Sequence, residues 1–127
     1  MANIIIVEDD LTLANIYKKT LEDGGHTAEL VSDVEAVNTI KAKKPQLVLL
    51  DILMPNVNGL DILRELKADP TNADIPVLML TNVAENESIA KGLEYGALGY
   101  LLKSETTPNL ILSRVERTLE ETSPPTV

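Results

Sequence analysis

The chain has no cysteine, no tryptophan, no phenylalanine and a single histidine, His26, among its 127 residues. Without cysteine there is no disulfide framework, thiolate zinc site or thiol nucleophile. One histidine excludes a His-based metal cluster. Three tyrosines are the only aromatics, too few for a stacking platform. Basic charge is also in deficit: Lys+Arg number 11 against Asp+Glu 20, giving a net charge of −9 and a pI near 4.5. Phosphate backbones are bound by basic faces, so no direct nucleic-acid contact is expected of this chain. No apolar run approaches the ~20 residues of a membrane span. The start, Met1-Ala2-Asn3 before Ile4-Ile5-Ile6-Val7 and three acids, lacks the basic and apolar regions of a signal peptide. A soluble, cytoplasmic protein with no membrane partner is expected. With 44% hydrophobic and 24% charged residues the composition is that of a globular chain, and the length suits one domain.

Five short apolar runs alternate with stretches of helical period. The runs are 3–7, 27–31, 46–50, 76–80 and 98–102, rich in Val, Ile and Leu, which reads as strand. Leu13, Ile16, Tyr17 and Leu21 form a helical stripe that stops at Gly24-Gly25. Ser32-Asp33-Val34-Glu35 matches a capping box, with Val34, Val37 and Ile40 as the expected buried side of the helix that follows. Leu60, Leu63 and Leu66 mark a third helix before Pro70, and Ile89, Ala90 and Leu93 a fourth before Gly96. Thr107-Pro108 reads as N-cap and first helical residue, with Ile111, Leu112, Val115 and Leu119 facing inward. Strict alternation predicts an α/β fold: a doubly wound, five-stranded parallel sheet with helices on both faces. Runs one, three and four are continuously apolar, as central strands are, whereas runs two and five carry polar or glycine interruptions. The order 2-1-3-4-5 satisfies this, with its crevice at the carboxyl ends of strands one and three. One domain over 1–122 and a disordered tail or linker start at 123–127, Pro-rich, are expected.

Glu8, Asp9 and Asp10 follow strand one directly, Asp51 follows strand three, Thr81 ends strand four and Lys103 follows strand five. Carboxylates brought this close must take up protons or share a cation. Oxygen ligands without His or Cys suit Mg²⁺, which favours one or two carboxylates plus waters and phosphate oxygens. A carboxylate beside Mg²⁺, faced by a hydroxyl and an ammonium, suits phosphoryl transfer to aspartate. Each residue alone has a plainer reading as a cap, turn residue or surface charge; the conjunction at four strand ends does not.

These residues carry a family resemblance. Ile4-Ile5-Ile6-Val7-Glu8-Asp9-Asp10, Asp51-Ile52-Leu53-Met54-Pro55 with Gly59, Pro76-Val77-Leu78-Met79-Leu80-Thr81 and Gly96-Ala97-Leu98-Gly99-Tyr100-Leu101-Leu102-Lys103 together resemble the receiver domain of two-component response regulators. The resemblance implies that Asp51 is the phosphoacceptor, served by a histidine kinase, a phosphotransfer protein or a small acyl phosphate. It implies Mg²⁺ held by Asp9, Asp51 and the Leu53 backbone carbonyl, with Glu8 holding a metal-bound water. Lys103 would pair with one phosphoryl oxygen and the Thr81 hydroxyl with another. Tyr100 would turn inward as Thr81 moves, reshaping the face of helix four, strand five and helix five for a downstream partner or a second copy. Asp10 would start a helix and bind no metal.

Two positions depart from the family pattern. Ser104 stands where Pro usually follows the Lys in a cis bond; cis before Ser costs ~2.5–4 kcal/mol, so the loop is expected to be strained or differently routed. Asn82 follows Thr81 where a smaller residue is common, which crowds the pocket. Leu53 and Val83 would border the water's approach to phosphorus, and neither can orient a water, so slow hydrolysis is expected. Other readings are a haloacid-dehalogenase-like phosphatase, from Glu8-Asp9-Asp10-Leu11-Thr12, a flavin-binding module of the same topology, and a degenerate receiver that works without phosphorylation.

Overall fold

The computed structural model describes residues 2–82 and 86–122; Val83 and the 123–127 tail lie outside them. Five strands, β1 (Asn3–Val7), β2 (Thr27–Val31), β3 (Leu47–Asp51), β4 (Val77–Thr81) and β5 (Gly99–Leu102), alternate with helices α1 (Leu11–Asp23), α2 (Ala36–Lys43), α3 (Gly59–Ala68), α4 (Asn86–Glu94) and α5 (Pro108–Thr122). The sheet is parallel throughout, in the order β2-β1-β3-β4-β5. Edge and centre fall where the polar interruptions placed them.

Side chains alternate across the sheet as strand geometry requires. Ile5, Val7, Val48, Leu50, Val77 and Met79 pack with Ile40, Ile62, Leu63 and Leu66 on one face. Ile4, Ile6, Leu47, Leu49, Leu78 and Leu80 pack with Tyr17, Leu21, Ile111 and Val115 on the other. Burying both faces explains why the central strands are uninterrupted runs of Val, Ile and Leu.

Register aligns the carboxyl ends: Val7 pairs with Leu50, Asp51 with Leu80 and Thr81 with Leu102. The residues that follow these strands therefore emerge at one level. Gly59 fixes the return from β3, because a Cβ there would lie 2.0 Å from the Asp51 carbonyl oxygen and 2.8 Å from Ile52 Cα. Its N–H instead donates to the Ile52 carbonyl at 2.7 Å.

One local reading failed, and two helices form as read but bury other residues than their apolar pattern suggests. The capping box at 32–35 does not form: α2 begins at Ala36, the Glu35 side chain makes no cap bond, and Val34 is 61% exposed. Asp33 is used elsewhere, as described below. On α1 the buried residues are Ala14, Tyr17 and Leu21, with Ile16 exposed. On α4 only Gly92 is fully buried and Leu93 is exposed, because the helix sits with Gly92 against the Met79 side chain. Every peptide bond in the described chain is trans, Lys103–Ser104 included. The loop after β5 makes a 3-10 turn over Lys103–Glu105.

Candidate functional site

β1 hands the chain to α1 through Glu8, Asp9 and Asp10. Asp10 takes the capping position, its Oδ1 accepting from Leu13 N at 3.1 Å, which keeps it outside the crevice. Glu8 is turned inward and 5% exposed; its Oε2 accepts from Asp10 N at 3.1 Å. Asp51, the last residue of β3, is 3% exposed. Carboxylate oxygens of Glu8, Asp9 and Asp51 all lie within 4.8 Å of one another. Among the described residues this is the one acidic group arranged to hold a metal ion.

Lys103 reaches across from the end of β5. Its Nζ stands 2.7 Å from Glu8 Oε1 and 3.1 Å from Asp51 Oδ2. Neither of these two buried oxygens receives a well-directed hydrogen bond, so the contact is ionic only. The departure at Ser104 has not displaced Lys103 from the crevice. Thr81 is buried at the end of β4, and its hydroxyl donates to the Asn82 carbonyl at 3.3 Å, within its own loop. Asn82 itself is exposed. Leu53 is 50% exposed on the loop after Asp51, and Tyr100 is 39% exposed on β5. Sequence reading thus placed Glu8, Asp9, Asp51 and Lys103 in one pit, and the structure brings them together there.

The charges pull in different directions. Desolvation, then the neighbouring Glu8, pushes the Asp51 carboxyl up to about 8, although Lys103 opposes the shift. Asp9, at the mouth, is also penalised by desolvation, but hydrogen bonds with Asp51 and Glu8 outweigh this and hold it below the usual carboxylate range. Burial acts to lower the Lys103 ammonium, yet Glu8 and Asp51 more than offset it and leave it raised. The pit therefore favours added positive charge, and its exclusively oxygen donors suit a hard divalent cation such as Mg²⁺.

Two participants were not evident from the sequence. Tyr17, read there as core, keeps its ring in the α1–α5 layer, yet its buried hydroxyl has no hydrogen-bond partner. Burial, then Glu8, pushes that phenol up to about 12. Asp33 is the second. Both are consequences of packing between elements that no local motif encodes.

The family model for the response regulator receiver domain matches residues 4–116. The phosphate regulon transcriptional regulatory protein PhoB of Pseudomonas aeruginosa is 34% identical over 122 residues, covering 95% of this chain and 53% of that protein. The chain spans about half the length of the curated relatives it matches. Among solved structures, a CheY-like response regulator receiver domain protein from Methanospirillum hungatei superposes with a TM-score of 0.87 at 26% identity, covering 96% of each chain. The signal receiver domain of a signal transduction histidine kinase from Syntrophus aciditrophicus gives a TM-score of 0.86 at 34% identity, covering 95% of this chain and 92% of that one.

Proposed function

The chain belongs to the response regulator receiver domain family of two-component signalling, and from that membership we propose that it accepts a phosphoryl group on Asp51. One observation carries this reading: Lys103 Nζ is held 3.1 Å from Asp51 Oδ2 inside a three-carboxylate pit. An Asp51 oxygen attacks phosphorus, the P–O or P–N bond of the donor breaks, and the acyl carboxylate or histidine imidazole leaves. Asp9, Asp51 and the Leu53 carbonyl would hold Mg²⁺, with Glu8 on a bound water; bound Mg²⁺ supplies charge neutralisation for the anionic donor. Lys103 pairs with a phosphoryl oxygen and Thr81 donates to another. The domain would catalyse its own phosphorylation and dephosphorylation, which makes it a signalling element and not an enzyme in the ordinary sense.

A protein donor, a histidine kinase or a phosphotransfer protein, fits the rim of the pit. Leu11, Val34 and Leu53, each placed just after one of three adjacent strands, are 66%, 61% and 50% exposed. Apolar side chains around an acidic pit suit docking of another protein surface. On the output side, Leu93, Leu98, Tyr100 and Leu110 line an exposed groove of about 530 Å³ formed by α4, β5 and α5. A downstream protein partner or a second copy would use that face. We assign the receiver unit to 1–122. The flavin reading sets Glu8 and Asp9 against a phosphate, and the phosphatase reading leaves Asp51 and the Met54-Pro55 turn without a role.

Intact-mass measurement after exposure to acetyl phosphate tests the proposal. One phosphoryl should be added with Mg²⁺ and none in chelator, and Asp51→Asn should take none. Labelling retained in Asp51→Asn sinks the assignment.

A further inference from the structure

Asp33 sits in the turn after β2, 8% exposed, and its carboxylate is saturated with N–H donors. Oδ1 accepts from its neighbour Val34 N at 2.8 Å and from Asn56 Nδ2 at 3.3 Å. Oδ2 accepts from Asn56 N at 2.9 Å and Val57 N at 3.1 Å. Three of these four donors belong to the loop that leaves Asp51 and carries Leu53. Because the sheet runs β2-β1-β3, a bond from the end of β2 to the loop after β3 crosses the end of β1, where Glu8 and Asp9 lie. Glu8, Asp9, Asp33 and Asn56 share the lining of one pocket of about 300 Å³. Asp33 is acidic and adjacent to the pit, yet both its oxygens are already engaged by donors, which removes it from any ligand set.

We propose that Asp33 is a positioning residue: it ties the β3–α3 loop across the acidic pit and thereby sets the pit's affinity for a divalent cation through the Leu53 carbonyl. This rests on the functional reading above. The supporting loop has little else to hold it on its outer side. Ile52 anchors the start of the loop in the core and Met54 and Val57 lean on it, but Leu53, Pro55 and Asn56 between them are exposed. Partners of this kind, which orient a ligand without touching the metal, typically set affinity by about 10–100-fold.

The test is calorimetric titration of the metal-free chain with Mg²⁺ for wild type, Asp33→Ala, Asp33→Asn and a control, Asp69→Ala. Asp69 makes a comparable turn clamp, accepting from Thr71 N at 3.0 Å and Thr71 Oγ1 at 2.8 Å, but far from the pit. Asp33→Ala should bind Mg²⁺ about tenfold more weakly, with faster amide exchange at Asn56 and Val57. Asp33→Asn, keeping one acceptor oxygen, should fall between it and wild type. Asp69→Ala should match wild type. Phosphorylation by acetyl phosphate should be slowed at low Mg²⁺ and restored to within about twofold at saturation. Equal weakening in the Ala and Asn variants would assign the effect to lost charge and overturn the tether, as would affinity unchanged in both. Should Asp33→Ala fail to fold, Asp33→Asn decides alone: affinity equal to wild type overturns the proposal. Wild type that binds no Mg²⁺ overturns the functional reading itself, a different failure.

Discussion

Asp51 carries the conflict on which the site depends. Desolvation, then Glu8, pushes its carboxyl from the ordinary carboxylate range up to about 8. A carboxyl whose pKa is raised on folding binds its proton more tightly in the native state. It therefore contributes stability that is complete below 3.8 and lost as pH rises towards 8. Asp9, held below the usual range, works the other way, and its contribution is lost only in acid. The metal-free protein should thus melt at a lower temperature at pH 8 than at pH 5. Asp51→Asn should flatten that slope and raise stability at pH 8 by on the order of 1–2 kcal/mol, several degrees in Tm. Mg²⁺ should shrink the difference. Scanning calorimetry at the two pH values checks this, and a steeper slope in the mutant would refute it. Tyr17 makes a smaller, cleaner case. A buried hydroxyl without a partner is a cost, so Tyr17→Phe should leave the fold intact and stabilise it by about 1 kcal/mol in urea titration. At Leu53 the consequence is kinetic. It is half exposed beside Asp51 and cannot orient a water, so Leu53→Asn should shorten the lifetime of phospho-Asp51 several-fold, each ~1.4 kcal/mol of barrier being tenfold. An unchanged decay would place control of hydrolysis elsewhere.

Elements were legible in the sequence to the extent that their signals were local. All five strands lie within one residue of the apolar runs, and the three central ones, buried on both faces, are unbroken apolar runs for that reason. The order followed from which runs tolerate Glu29, His26 or Gly99. Helix faces were harder. Val34 matched the period but lies before α2, in a turn that Asp33 holds to the β3–α3 loop by accepting from Asn56 N and Val57 N, and neither Ser32 nor Glu35 forms the expected cap. α4 forms where Ile89, Ala90 and Leu93 marked it, but its close contact was not legible: Gly92 carries the approach to Met79, and a glycine adds nothing to an apolar pattern. Gly59 shows what such contacts require. With a Cβ 2.0 Å from the Asp51 carbonyl oxygen, and backbone rather than a flexible side chain in the way, Gly59→Ala must push α3 off the end of β3. The expected loss is about 3 kcal/mol or more, together with weaker phosphorylation because Asp51 moves with its carbonyl. Gly92→Ala meets only the end of the Met79 side chain and should cost less. Denaturant midpoints for the two variants give the comparison, and equal losses would contradict it.

Across the whole molecule the acidic pit and the outer groove are joined through two strands. β4 ends at Thr81 and β5 leads into Lys103, and these two strands are paired, Met79 against Tyr100 and Thr81 against Leu102. A phosphoryl on Asp51 offers both Lys103 and the Thr81 hydroxyl a better partner than they have now. Lys103 is shared between Glu8 and Asp51, and Thr81 spends its hydroxyl on the neighbouring Asn82 carbonyl. On the proposed reading, drawing both towards Asp51 would move the ends of the two strands and vacate space beside Tyr100, a residue 39% exposed here. α4 can follow because little of it is anchored: Gly92 is its one fully buried residue. The groove formed by Leu93, Leu98, Tyr100 and Leu110 should then change shape, a two-state element biased by differential contacts to the phosphoryl group. Addition of beryllofluoride, a phosphoryl mimic, with Mg²⁺ should alter amide exchange in α4, β5 and the start of α5 while leaving β2 and α2 unchanged. Thr81→Ala should bind the mimic yet lose most of that response, and Tyr100→Ala should keep the response in β4 but lose association through the groove. Exchange that changes only around α1 would mean that the signal leaves by another face.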